Sequence, residues 1–206
     1  MPESRRKPSP VWPDTDLRSD LAFDSIYDKA IRDLSLQHWT PVRVAARAAW
    51  LLTQHGATRI LDVGSGVGKF CLVGAQITDA SFVGVERRGH LVDIARGAAA
   101  QLEISSRATF VHSNIDTFSF EGFDGIYLYN PFYEQIGEYL DPIGPDLERS
   151  AATFRHYVRT TVEKLRGLTS PVVVVTFHGF GGIMPPEFKF LGDEAAGNDH
   201  LEVWSK

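Results

Sequence analysis

Three glycines at alternate positions, Gly64, Gly66 and Gly68, follow the apolar run Ile60-Leu61 and a carboxylate at Asp62, and a helical pattern begins at Lys69. Glycines so placed let the chain turn tightly and let a ligand approach main-chain amides beside a helix N-terminus. A phosphate loop would need Ser or Thr after Gly-Lys and a glycine five residues before the second glycine. Here those places hold Phe70 and Val63. The dinucleotide fingerprint needs glycines at its first, third and sixth positions; counted from Gly64, the sixth is Lys69. About 20 residues beyond the turn, Phe82-Val83-Gly84-Val85 ends in Glu86, where a carboxylate can grip ribose hydroxyls. Arg87 and Arg88 would suit a 2′-phosphate, but Glu86 ahead of them argues for a free diol.

The Asp62–Gly68 segment resembles motif I of the class I S-adenosylmethionine-dependent methyltransferases, Asp/Glu-x-Gly-x-Gly-x-Gly, with Asp62, Gly64, Gly66 and Gly68 on its positions and Ser65 inside the turn. The resemblance implies a turn that cradles the methionine portion of the cofactor, where Asp62 favours an ammonium and would repel a pyrophosphate. It places Glu86 on the ribose and either Asn114 or Asp116 on the adenine. Asn at the first of these keeps an acceptor for the adenine amino group while losing charge.

Tyr129-Asn130-Pro131-Phe132-Tyr133 resembles motif IV of amino-methylating members, Asn/Asp-Pro-Pro-Tyr/Phe, with Phe132 where those enzymes have proline. Asn-x-Phe with Gly-Ser-Gly-Val-Gly is also similar to the Dot1-type lysine methyltransferases, which leaves the acceptor open. A planar amine donates its lone pair into a ring or carbonyl and is a poor nucleophile. The Asn130 side-chain oxygen and the Pro131 carbonyl would accept its two N–H bonds, while Phe132 or Tyr133 stacks on the plane and fixes the line of attack. Upstream, Trp39-Thr40-Pro41-Val42-Arg43-Val44-Ala45 resembles the Thr-Pro element that precedes motif I in some DNA amino-methyltransferases. There the aromatic and the Thr-Pro turn close over the methionine end.

The remaining candidates read more plainly. Cys71 lies in an apolar helical stretch and reads as a core residue. His178 falls on the ligand-facing edge of the sheet such a fold builds, and reads as a loop histidine that would at most touch the acceptor. Tyr127 and Tyr129 alternate with Ile126 and Leu128, so burial accounts for them.

These residues need a scaffold, and the pattern supplies one. Apolar runs at 59–63, 81–85, 109–112, 125–129 and 171–177 alternate with helical stretches at 69–77, 90–102 and about 146–165. The near-continuous β-branched run at 171–177 marks a strand buried on both faces. Two shorter strands, 187–191 and 200–204, would pair through the turn-rich 192–199 segment. The fold expected is a doubly wound α/β sheet, seven-stranded and mostly parallel, ending in an antiparallel hairpin. Ahead of it, 21–34 reads as one helix, and Thr40 as the N-cap of a second with Pro41 at its first position. Gly56 stops that second helix. The division expected is a loose arm over 1–20, which holds four of the eleven prolines, a helical cap over 21–55 and a cofactor-binding domain over 56–206.

Composition sets the outer limits. The chain has 206 residues, one cysteine and a formal net charge of −5. A single cysteine excludes a disulfide framework, no histidine pair has zinc-helix spacing, and no apolar run approaches a membrane span. The acidic balance speaks against a broad nucleic-acid surface, and the absence of a leader pattern makes cytoplasm the expected address. The function expected is an S-adenosylmethionine-dependent methyltransferase without a metal, N-methylating an amine or amide of a protein or small molecule. Set against it stand a small-molecule O-methyltransferase and a non-catalytic module that binds S-adenosylmethionine or NADP.

Overall fold

A computed structural model describes residues 19–137 and 149–206. Its core is a seven-stranded sheet in the order β3-β2-β1-β4-β5-β7-β6. The strands are β1 (Arg59–Val63), β2 (Ser81–Glu86), β3 (Ala108–His112), β4 (Gly125–Tyr129), β5 (Val173–Phe177), β6 (Lys189–Ala196) and β7 (Asp199–Ser205). The first five pair in parallel, and β7 enters antiparallel between β5 and β6. The helices are α1 (Asp20–Phe23), α2 (Lys29–Asp33), α3 (Ser35–His38), α4 (Val42–Gln54), α5 (Lys69–Ile77), α6 (Gly89–Gln101) and α7 (Ala151–Gly167). The strand order reverses between β1 and β4, and ligands of open α/β sheets bind at such a switch point, outside the carboxyl ends of the strands. Asp62, Glu86, Asn114 and Asn130 all lie at those ends.

Each face of the sheet carries its own apolar cluster. One joins Phe70, Phe82 and Tyr127 to α4, α5 and α6, with the Tyr127 ring stacked 3.9 Å from that of Phe70. The other joins Leu61, Ile126 and Val174 to Tyr157 and Leu165 of α7. The hairpin is longer than its sequence pattern suggests, because β6 runs through to Ala196 and leaves the turn to Gly197 and Asn198.

The cap departs from expectation in two ways. Instead of one helix over 21–34 the chain forms α1, a 3₁₀ turn at Asp24–Ile26, α2 and α3. Tyr27 and Asp28 are extended there, and the break lets the Tyr27 hydroxyl donate to the Val67 carbonyl in the glycine turn. The second departure is the start of α4. Thr40 does not cap it; the helix begins at Val42, whose N–H donates to Asp20 Oδ1 at 2.9 Å, while Thr40 Oγ1 faces the Tyr127 hydroxyl at 3.3 Å. Asp20 is therefore a structural part of the cap rather than of an arm; the rest of that arm, to residue 18, lies outside the described residues. The expected helix start near 146 lies outside them as well, and α7 begins at Ala151 with Ser150 as N-cap.

Candidate functional site

The turn after β1 is held to β2 by two amides, Gly64 N and Ser65 N, both donating to the Val85 carbonyl at 2.9 and 3.0 Å. Its glycines are needed for space as well as for backbone angle. A Cβ on Gly66 (φ +53°) would sit 2.6 Å from the Trp39 ring, and one on Gly68 (φ +81°) 2.5 Å from Phe110. Trp39 thus packs closely against the turn. Its indole donates to the Ile31 carbonyl, which fixes the ring from the cap side.

Lys69, the first residue of α5, is the group sequence reasoning missed most completely. Only 2% of its side chain is exposed, and its ammonium pairs with Asp20 at 2.6 Å and Asp24 at 2.7 Å and donates to Ser35 Oγ at 3.1 Å. A buried cation is tolerable only with such partners. The residue that ends the glycine turn is therefore the anchor of the cap.

Two buried carboxylates flank the turn. Asp62 sits with its Oδ2 3.6 Å from Cys71 Sγ, and burial pushes its pKa up to about 7; the thiol hydrogen bond lowers it and nearby Glu86 raises it. The same burial, together with Asp62, pushes the Cys71 thiol well above its usual range, as befits a core residue. Glu86 accepts from Gly66 N on one oxygen (3.2 Å) and from Arg88 N and Nε on the other (2.9 and 3.0 Å). A carboxylate has about four acceptor sites, so capacity for a ribose hydroxyl remains. Arg88 continues across to Glu134 at 2.7 Å.

Around these groups lie two adjoining hollows that share Gly64, Arg88, Pro131 and Glu134. The first is a slot between Val85, Ile115, Phe132 and Tyr157, with Glu86 at one end. Asn114 lines it, and its amide donates to the Tyr157 hydroxyl at 3.1 Å while its oxygen accepts from Asp116 N. Of the two adenine candidates, then, Asn114 borders the slot. Asp116 does not: its carboxylate turns to α7, where it accepts from His156 at 2.8 Å. Phe132, one of two expected acceptor platforms, is buried in the slot against Tyr157 with ring centres 5.4 Å apart. Tyr133, the other expected platform, is 44% exposed.

The second hollow, about 330 Å³, opens between the cap and the ends of β4 and β5. Trp39, Gly66, Tyr129, Asn130, Tyr133 and His178 line it. Tyr129 thus belongs to a cavity wall and is not explained by burial alone. Asn130 has φ +38° and its N–H donates to the Gly179 carbonyl at 2.8 Å, tying the β4 end to the β5 end. Pro131 packs beneath Gly64, whose hypothetical Cβ would meet the proline Cβ at 3.0 Å.

The arrangement fits S-adenosylmethionine on its own chemistry. A slot walled in part by Phe132 and Tyr157 suits a purine, Glu86 suits a diol, and the buried Asp62 below the turn suits an ammonium. Ser65 fits less directly. Its hydroxyl is buried without a hydrogen-bond partner and is tucked toward Gly84 of β2, so its main chain, not its side chain, shapes the turn. Among the described residues no group of three or more His, Cys, Asp or Glu could hold a metal, and no helix is long and apolar enough to cross a membrane.

Residues 54–141 match a protein family described as "Methyltransferase domain". No curated protein sequence matches the chain. Among solved structures, an RNA methyltransferase from Salinibacter ruber in complex with S-adenosyl-L-homocysteine superposes with a TM-score of 0.57 at 19% identity, covering 81% of this chain and 92% of that one. An rRNA methylase from Escherichia coli gives 0.56 at 15% identity over 91% of this chain and 70% of its own. A putative O-methyltransferase from Nostoc punctiforme gives 0.53 at 15% identity over 79% and 55%.

Proposed function

We propose that this chain is a class I S-adenosylmethionine-dependent methyltransferase and that it methylates a nitrogen: an amine or amide of a protein or a small molecule. The observation that carries the reading is the placement of Asn130. It ends β4 on the wall of the larger hollow, beside the glycine turn and in a backbone conformation that a non-glycine residue adopts only at a cost. The bound cofactor supplies a methyl group on a cationic sulfur, open to attack by a lone pair.

The chain's own residues supply position. The Asn130 side-chain oxygen and the Pro131 carbonyl accept N–H bonds from the acceptor, which turns the nitrogen lone pair toward the methyl group. Tyr133 offers its exposed ring as the stacking surface. Trp39 covers the turn and excludes water from the methionine end. Such positioning is worth up to about 7–11 kcal/mol in favourable systems.

The test is transfer of labelled methyl groups from S-adenosylmethionine to protein, RNA, DNA and metabolite fractions, followed by Asn130→Gly. Glycine suits φ +38°, so this variant removes the amide without straining the turn. Transfer should be lost while S-adenosylhomocysteine still binds within about twofold of wild type. Unchanged transfer would refute the role of Asn130. Label that appears only in RNA, as the names of two structural neighbours invite, would replace the protein or metabolite acceptor; label on an acceptor oxygen would support the O-methylating alternative.

A further inference from the structure

Methylating an amide or a ring-conjugated amine leaves a cationic, strongly acidic nitrogen that must lose a proton, and the groups assigned so far cannot take it. An amide oxygen and a main-chain carbonyl accept hydrogen bonds but are not bases near neutral pH. Three basic groups line the larger hollow: His38, Glu134 and His178. Glu134 is paired with Arg88 at 2.7 Å, and His38 leans on Trp39 with ring centres 5.8 Å apart. His178 stands beside a carboxylate. Its Nδ1 lies 2.5 Å from Asp199 Oδ2, a carboxylate brought to it by the β6–β7 hairpin. A proton on Nδ1, facing that carboxylate, would leave the lone pair on Nε2.

The ring is fixed from several sides. Phe177 packs 4.3 Å from it and Tyr129 5.7 Å, centre to centre. The backbone of His178 is itself left-handed, at φ +54°. Among the described residues only three non-glycine positions have positive φ, and two of them, Asn130 and His178, line this one cavity. They are coupled through the Asn130 N–H bond to the Gly179 carbonyl. Backbone strain gathered at a cavity mouth points to function rather than to folding.

We infer that His178, oriented by Asp199, is the general base that receives the proton the acceptor nitrogen gives up. The inference rests on the amine-methylating reading above and deepens it: the acceptor is a primary or secondary nitrogen that carries a proton to lose. As the nitrogen lone pair forms the new C–N bond, the C–S bond breaks and its electrons stay on sulfur as a neutral thioether. The surplus proton passes from nitrogen to His178 Nε2, and the imidazolium faces the Asp199 carboxylate until water removes the proton. Other titratable groups near the pair are His200, whose Nδ1 is 3.7 Å from Asp199 Oδ1, and Tyr129. Across the cavity stand His38, Arg88, Tyr133 and Glu134.

Two measurements decide it. In the first, ¹⁵N-histidine NMR of the protein bound to S-adenosylhomocysteine should show His178 protonated on Nδ1 and bare on Nε2 at neutral pH, with Asp199→Asn shifting the tautomer balance. A wild-type His178 protonated on Nε2 alone would overturn the proposal, whatever the acceptor. In the second, the fraction that accepts label is assayed with His178→Gly, which suits the left-handed backbone. Turnover should fall at least about 100-fold with KM little changed. The acid limb of the pH profile should disappear, and added imidazole should restore part of the rate. Asp199→Asn should move that limb without abolishing it, whereas His38→Gln should leave it in place. Wild-type turnover in His178→Gly, or loss of the limb in His38→Gln instead, would overturn the assignment. If no fraction accepts label, the amine-methylating reading fails, and the tautomer measurement still judges His178.

Discussion

Asp62 offers the sharpest test of how the cofactor is held, because the empty protein and the loaded one should differ by a proton. Its carboxyl is buried beneath the glycine turn, and burial is the main reason its pKa is pushed up from 3.8 to about 7. A rise of about three units corresponds to roughly 4 kcal/mol of unfavourable ionisation in the folded chain. The sign follows directly. Between about pH 4 and 7 the native state holds a proton that the unfolded chain has released, so stability falls as pH rises through that window and then levels off. A ligand ammonium beside Asp62 reverses the preference and favours the carboxylate. Binding of S-adenosylhomocysteine should therefore expel close to one proton per site at about pH 5.5, about half a proton at pH 7, and fewer still above that. Affinity should climb up to about tenfold per pH unit below pH 7 and flatten beyond it.

Calorimetry in buffers of different ionisation heat reads the proton count directly, with Asp62→Asn as the control. The variant should release no proton and lose the pH slope. It should bind about 10- to 100-fold more weakly near pH 8, the usual worth of a hydrogen bond to a charged group. It should also melt higher than wild type above about pH 7, since the cost of a buried ionised carboxylate is gone. Wild-type binding without proton release near pH 6, together with undiminished affinity in Asp62→Asn, would refute the placement of the ammonium against this carboxylate.

Lys69→Met keeps the aliphatic stem but leaves Asp20 and the buried Asp24 uncompensated; it should destabilise the fold by about 3–5 kcal/mol, lowering the melting temperature by roughly 10 °C. Most of that loss should return when Asp20→Asn and Asp24→Asn are added, as thermal melts would show. Glu86→Gln should weaken S-adenosylhomocysteine binding about 10- to 100-fold in titration calorimetry without shifting the circular dichroism spectrum. Gly66→Ala puts a methyl 2.6 Å from the Trp39 ring, so it should displace the indole and reduce cofactor affinity, visible as a change in tryptophan emission together with a weaker binding isotherm.

What the sequence carried and what it hid divide along a physical line. Residues whose role depends on backbone shape or strand position were legible: the β1, α5 and β4 boundaries fall where the pattern put them, and the glycine turn sits at the switch point. Glycine spacing and apolar periodicity are local signals, and the sheet obeys them. Groups whose role depends on a partner far along the chain were not legible. Lys69 reads as a failed phosphate-loop lysine until the broken cap brings Asp20 and Asp24 to it from 49 and 45 residues away. Asp116 reads as an alternative to Asn114 beside the adenine, and only the fold shows its carboxylate turned to His156 of α7. His178 reads as a loop histidine until a hairpin turn supplies Asp199.

The same division explains why the fold is plain while the acceptor must be found by assay. The Asp62 carboxyl, the turn and Glu86 are set by β1 and β2, whose boundaries follow local pattern. The larger hollow is walled instead by the cap and the ends of β4 and β5; the Asn130–Gly179 backbone bond ties the loops beyond those strands, and Asn130 and His178 are both left-handed there. Asn and His enter the left-handed region more readily than most residues, but strand pattern alone does not place them there. The bond between the two loops and the Asp199 carboxylate hold them there. A specificity wall built from long-range contacts can change acceptor without altering motif I. The three superposed structures, two named for RNA and one for oxygen, share the sheet at under 20% identity and show how little of the acceptor choice is written in it.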